Sequence, residues 1–201
     1  MISHKHKCIY IHLPKTGGGS IERSLTGKGW ASVKQYGRKV QHESAAELKI
    51  LYRDWWKDYF KFSIARNPWD LMISHFMWTK RGKSGSTNLT PRVLRDFILD
   101  IPSSIKPLKF LDKNSKSTWK CDQHSFLYSP EGEPEMDFVG RFENLQLDFN
   151  IVCDKIGIPP RQLPHANKSE HKHYTEYYDD EARQIVAEKY AKDIEYFGYE
   201  F

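Results

Sequence analysis

Lys15, Thr16, the glycines Gly17, Gly18 and Gly19, and Ser20 follow directly on a short apolar alternation; Arg66 and Ser74 follow on a second one. These are residue types that bind phosphate. Glycines let the backbone turn so that several amides face one anion. A helix beginning near Ser20 adds the positive end of its dipole. Lys15 supplies a mobile positive charge, and Thr16 and Ser20 supply hydroxyls. Arg66 presents a planar fork that matches phosphate oxygens. Ser74, eight residues further on and about two turns into a helix, has little helix-forming reason to be there.

Each motif has a plainer reading. Three glycines alone fit a loose turn with a surface lysine. An arginine before Asn-Pro is commonly a structural cap or a surface ion-pair partner. The strand before and the helix after favour the anion site for the first motif. The order of residues narrows the ligand. A nucleoside-triphosphate loop reads G-x-x-x-x-G-K-[ST], with lysine after the last glycine and a hydroxyl on Mg²⁺. Here Lys15 precedes the glycines and Gly19 leads into Ser20. No acidic residue ends an apolar strand where it would hold the metal. A Mg·ATP site is disfavoured, and no metal is expected.

The elements that must position these groups can be read from periodicity. Ile9, Ile11 and Leu13 alternate with Tyr10 and His12, which predicts a strand, and a helix starts at the glycines. Ser44 and Glu47 form a capping-box pattern ahead of Leu48, Leu51, Tyr52 and Trp55 on one helical face. Phe60 to Ala65 is a second strand. Asn67 can cap the helix after it, and Pro68 fits the first turn, where no amide donor is needed. Residues 80–88 read as a polar loop. Thr90-Pro91 opens a helix with Val93, Leu94, Phe97 and Ile98 inward. Residues 102–136 read as irregular. "DFVGRFENL" gives a short strand and then a helix carrying Leu145, Phe149, Val152 and Ile156, ended by Gly157. A last helix is expected from about Asp180 to Tyr196, stopping at Gly198.

Strands alternating with helices predict an α/β fold, a P-loop-like three-layer arrangement with a central, mostly parallel sheet flanked by helices. Ligands in such sheets bind where strands end and helices begin, and both polar motifs lie at such ends. The 201 residues suggest a single domain, 1–201, with a divergent region at about 80–130. The hydrophobic share of 39% and charged share of 28% suit a folded chain and argue against disorder. A net charge of +5 suits an anionic ligand without requiring one. Three scattered cysteines form no C-x-x-C pair, which argues against a zinc ribbon and for free thiols in a reducing compartment. No apolar run reaches the roughly 20 residues needed to span a bilayer, and the first strand begins too early for a signal peptide. A cytoplasmic protein, or a catalytic piece without its anchor, is expected.

"IHLPKTGGGSIERSL" followed by "FKFSIARNPWDLMISHF" resembles the donor-binding pair of the sulfotransferase family. "DFVGRFENL" and the ending "YDDEARQIVAEKYAKDIEYFGYEF" are similar to its carbohydrate-type and bacterial branch. The resemblance covers most of the chain and weakens between 80 and 130. It implies a donor, 3′-phosphoadenosine 5′-phosphosulfate, and a product, adenosine 3′,5′-bisphosphate. It implies that Lys15 and residues Thr16 to Ser20 grip the 5′-phosphosulfate, and that Arg66 and Ser74 grip the 3′-phosphate. Position 19 is usually Thr or Ser in this motif. Gly19 keeps the amide but lacks that hydroxyl.

An acceptor hydroxyl needs a base. His42 lies between the two motifs and titrates near working pH. Some carbohydrate sulfotransferases are expected to carry a catalytic histidine in the corresponding stretch. Its plainer reading is a polar residue at a helix start. Glu43 and His12 are lesser candidates for the base. Lys168, with Ser169, lies in the basic loop before the last helix. It can close over the 3′-phosphate, or it is a solvated charge. Trp69 stands near the adenine or packs under its helix. The expected acceptor is a hydroxyl on a glycan or another small molecule, with no nucleic-acid partner. Two rivals stay open: a P-loop kinase of nucleotides or small molecules, and a non-catalytic binder of anionic polymers.

Overall fold

A computed structural model describes residues 1–27, 34–35, 38–39, 42–80, 89–101, 122–128, 134–164 and 172–201. Its centre is a four-stranded sheet. Strand β1 (Ile2–Ser3) pairs antiparallel with β2 (Cys8–Ile11). β2 pairs in parallel with β5 (Phe60–Ala65), and β5 in parallel with β6 (Phe138–Arg141). Two short strands, β3 (Lys34–Gln35) and β4 (Arg38–Lys39), pair separately. The fold is α/β, with a mostly parallel sheet flanked by helices.

The alternation in β2 and β5 sorts side chains between two cores. All four residues of β2 are buried, as strands covered on both faces must be. Ile9, Ile11 and Ala65 face one core. It is completed by α2 (Ala45–Leu51), α3 (Pro68–Lys80), α4 (Pro91–Asp100), α7 (Asp180–Lys189) and α8 (Ala191–Phe197). Cys8, Tyr10, Phe62 and Ile64 face the other, covered by α1 (Gly18–Thr26) and α6 (Leu145–Lys155). Each large side chain fully buried there contributes about 1.5–3 kcal/mol. Cys8 and Cys153 are buried free thiols.

Local chemistry sets the element ends. In α1, Ile21 and Leu25 at i, i+4 reach the second core, and Gly27, left-handed at φ 71°, ends the helix with its amide on the Arg23 carbonyl. Ser44 and Glu47 form the reciprocal capping box of α2. Thr90 caps α4 with Pro91 in its first turn. In α6, Phe149 and Val152 are fully buried, and Gly157 follows at φ 70°.

Three expectations need correction. Val93 is 38% exposed rather than inward, because Leu94 and Ile98 form the buried face of α4. Within 102–136, a helix α5 (Gln123–Leu127) forms, capped by Asp122; residues 102–121 and 129–133 lie outside the described residues. The last helix is broken at Tyr190, a core residue with φ −114° and ψ 27°. The break sets α8 on a new course, which brings its Asp193 to the start of α5. The expected loop at 80–88 lies outside the described residues beyond Lys80. No helix among the described residues is long and apolar enough to cross a membrane.

Candidate functional site

The loop after β2 turns on two left-handed residues, Lys15 at φ 63° and Gly17 at φ 79°. For Lys15 that conformation is strained, and such strain clusters at functional sites. Gly17 precedes α1 and offers no side-chain cap to its first amides. Apart from the Ser20 amide, which bonds the Gly17 carbonyl, the first amides of the helix can face a ligand, as helix starts that hold anions do. A Cβ on Gly17 would stand 2.7 Å from Leu145 Cδ2. Gly18 has ordinary φ but no room: a Cβ there would stand 2.1 Å from His12 Nε2. Thr16 is fully buried, and its hydroxyl donates to the Leu13 carbonyl at 2.9 Å. Its side chain braces the loop from within, with its hydroxyl hydrogen committed to Leu13. Ser20 is buried in the first turn of α1, with its amide on the Gly17 carbonyl at 2.9 Å. Gly19 lies in that same turn.

The second strand end is tied to the first. Arg66, 5% exposed, donates from Nη1 to the Lys15 carbonyl at 2.8 Å and from Nε to Asp70 Oδ2 at 2.8 Å. Its guanidinium lies over the Phe142 ring at 4.0 Å. Its backbone is clamped as well. Gln123 Oε1 accepts from the Arg66 amide at 2.8 Å, and Gln123 Nε2 donates to the Arg66 carbonyl at 2.7 Å. Gln123 is itself held by Asp193, whose carboxylate accepts from the amides of Gln123 and His124 at 2.9 and 2.8 Å. Burial pushes the Asp193 carboxyl up to about 7 against the pull of those donors. The sequence gives no signal for this clamp, because its members lie 57 and 70 residues apart.

Asn67 Oδ1 accepts from the Trp69 amide at 3.0 Å, capping α3 as expected. Glu143, from the "GRFENL" segment, accepts from the Asn67 amide at 2.7 Å. That glutamate went unread in the sequence. Trp69 packs under the helix: it is 4% exposed, and its indole donates to the Arg183 carbonyl at 3.1 Å. Ser74 is buried in the second turn of α3. One turn on, Trp78 is 46% exposed, with the Lys15 ammonium 5.9 Å from its ring centre. Between them, burial and then the Lys15 charge hold the His75 pKa down to about 4, so this imidazole stays neutral.

His42 joins the loop from the other side. It is half-buried and left-handed at φ 58°. Its Nδ1 donates to the His12 carbonyl at 2.9 Å. With the proton fixed on Nδ1, Nε2 keeps its lone pair, the state a general base requires. The structure thus joins Arg66 to Lys15 and His42 to the residues under the cradle. Lys168 lies outside the described residues. Among the described residues, no group of three or more His, Cys, Asp and Glu is placed to hold a metal ion. A cleft of about 470 Å³, lined by Tyr128, Glu135, Val139 and Tyr196 among others, runs along the flank of β6 rather than at the strand ends.

A lysine-glycine turn after β2 and an arginine after β5 are thus joined at the ends of neighbouring parallel strands in an α/β protein. A family model described as the sulfotransferase family matches residues 1–200, and the chain belongs to that family. That membership supports sulfuryl transfer in general and implies a hydroxyl-bearing acceptor. No curated protein and no solved structure gives a significant match.

Proposed function

We propose that this chain transfers a sulfuryl group from 3′-phosphoadenosine 5′-phosphosulfate to a hydroxyl on a carbohydrate or another small acceptor. The observation that carries the reading is the 2.8 Å bond from Arg66 Nη1 to the Lys15 carbonyl. It supports two anion sites set side by side, as a donor phosphorylated at both ends of its ribose needs. The glycines fit as well, since a Cβ at 17 would collide with Leu145 and one at 18 with the His12 ring, so the loop's shape depends on having none. Residues 1–201 would act as one domain, with acceptor choice written in 80–130.

The donor supplies an activated sulfuryl group on a phosphate that leaves as an anion. The amides of Thr16, Gly17, Gly18 and Gly19 and the hydroxyl of Ser20 hold the 5′-phosphate. Arg66 and Ser74 hold the 3′-phosphate, and Lys168 approaches it from the basic loop. Lys15 stabilises the charge that grows on the departing phosphate oxygen. His42 Nε2 takes the acceptor proton as the acceptor oxygen bonds to sulfur. Catalysis then comes from positioning and fixed electrostatics, as in phosphoryl transfer, and no metal is called for. Parallel calorimetric titrations with adenosine 3′,5′-bisphosphate, ADP and Mg·ATP test the reading. Binding of the bisphosphate well ahead of the other two is expected. Tight Mg·ATP binding with none of the bisphosphate overturns it in favour of a kinase.

A further inference from the structure

His12 and Glu22 form a buried pair beneath the cradle. His12 Nδ1 lies 3.0 Å from Glu22 Oε1, and the two side chains are 7% and 2% exposed. An ionised carboxylate only accepts, so His12 carries its proton on Nδ1. The opposite ring edge presses on Gly18, where it excludes any Cβ. Glu22 Oε2 is buried and makes no hydrogen bond among the described residues. The same His12 supplies the carbonyl that takes the His42 Nδ1 proton, and the two imidazoles meet edge to face at 4.5 Å. One residue therefore touches the carboxylate, the phosphate loop and the candidate base.

We infer that Glu22 and His12 are positioning residues for His42. The pair fixes the left-handed backbone and the Nδ1–H tautomer of His42 through the His12 carbonyl, and the Glu22 charge stabilises the imidazolium that forms at His42. This rests on His42 being the base. A purely structural brace between α1 and β2 would be served as well by a neutral amide, and this is where the two accounts part. Among the described residues, several charged and titratable groups neighbour the cluster. Glu43 adjoins His42, Tyr10 stacks on His12 at 5.5 Å, and Cys8 lies on the same strand. The Met1 ammonium, which donates to the Tyr10 carbonyl, feels Glu22, Glu43 and Cys8. Glu43 remains when Glu22 is neutralised, so the effect of Glu22 on His42 is partial.

The test compares the pH dependence of kcat for wild type, Glu22→Gln, Glu22→Asp, His42→Ala and the double variant Glu22→Gln/His42→Ala. Bisphosphate affinity is measured alongside. Glu22→Gln should keep its affinity for the bisphosphate and lose about ten-fold in kcat, a part of the roughly 10²–10⁴ that a general base contributes. Its acid limb should move to lower pH by about half a unit to one unit, because an opposite charge near a histidine raises its pKa. Glu22→Asp should restore most of both. In the His42→Ala background Glu22→Gln should change nothing further. An unchanged kcat and limb in folded Glu22→Gln overturns the inference, and so does the same loss in the His42→Ala background. Nitrogen NMR of the wild-type chain gives an arm that depends on neither folding of variants nor turnover. Neutral His42 should be the Nδ1–H tautomer, and the Nε2–H tautomer overturns the inference. Near-normal turnover of His42→Ala removes the base and this inference with it, but leaves the donor reading standing. Absence of any sulfuryl transfer by wild type strikes the function itself.

Discussion

Arg66 donates a hydrogen bond from Nη1 to the backbone carbonyl of Lys15 at 2.8 Å. The arginine of one motif thereby holds the lysine of the other in its strained left-handed turn. The two strand ends are joined by this bond, and a change in the guanidinium should be felt at both.

Arg66→Lys tests that coupling. Lysine keeps the charge but cannot reach Asp70, the Lys15 carbonyl and the Phe142 face together. Affinity for adenosine 3′,5′-bisphosphate should fall at least about ten-fold, or roughly 1.4 kcal/mol, with a lower melting temperature. Calorimetry and thermal unfolding measure both. Unchanged affinity would remove Arg66 from the donor site.

Gly18→Ala should cost about 1–3 kcal/mol in stability, as overpacking does. The added Cβ meets the His12 ring, which is hydrogen-bonded to the buried Glu22. His12→Ala is destabilising alone because it strands Glu22. In that background the further cost of Gly18→Ala should largely vanish, and a double-mutant cycle in urea reads the coupling. Additive costs would mean that His12 is not the obstacle.

Asp193→Ala removes the acceptor of two buried amides and releases Gln123 from its grip on Arg66. Leaving such donors unsatisfied should cost about 3 kcal/mol, seen in denaturant unfolding. Donor affinity should fall as well, although Asp193 lies far from the cradle in sequence. A stability loss with full donor affinity would show that the clamp does not support the site.

His75 gives a pH signature. Its folded pKa, about 4, lies below the ordinary 6.5 of the unfolded chain. The unfolded state therefore binds more protons between those values, and stability rises with pH across that window. His75→Phe keeps a ring against Phe97 but cannot titrate. Between pH 6.5 and 4 the wild type should lose on the order of 2–3 kcal/mol more than the variant. Parallel slopes would contradict a buried neutral His75.

Much of this was legible in the sequence because its signals are local. The lysine-glycine turn, Asn67-Pro68 and the Ser44–Glu47 box each carry their cause within a few residues, and the structure places strand ends and helix starts there. The clamp on Arg66 was not legible. Gln123 and Asp193 act across the fold, and α5 exists at only five residues because Asp122 and Asp193 cap it. The break at Tyr190 was hidden because helical periodicity runs through it, while burial of Tyr190 and the reach of Asp193 decide it. His12 was read as a lesser candidate for the base, and its ring is turned to Glu22 and Gly18. The 80–88 loop beyond Lys80 and the Lys168 segment lie outside the described residues.

The central claim is that Lys15, in the cradle before α1, drives sulfuryl transfer. The direct measurement is transfer of labelled sulfate from 3′-phosphoadenosine 5′-phosphosulfate to a panel of glycans, phenols and alcohols, by wild type and by Lys15→Ala. The account predicts that wild type labels a hydroxyl acceptor and that Lys15→Ala, still folded, loses at least about 10²-fold in rate, the scale of one transition-state charge contact. Labelling that persists undiminished in Lys15→Ala would contradict it.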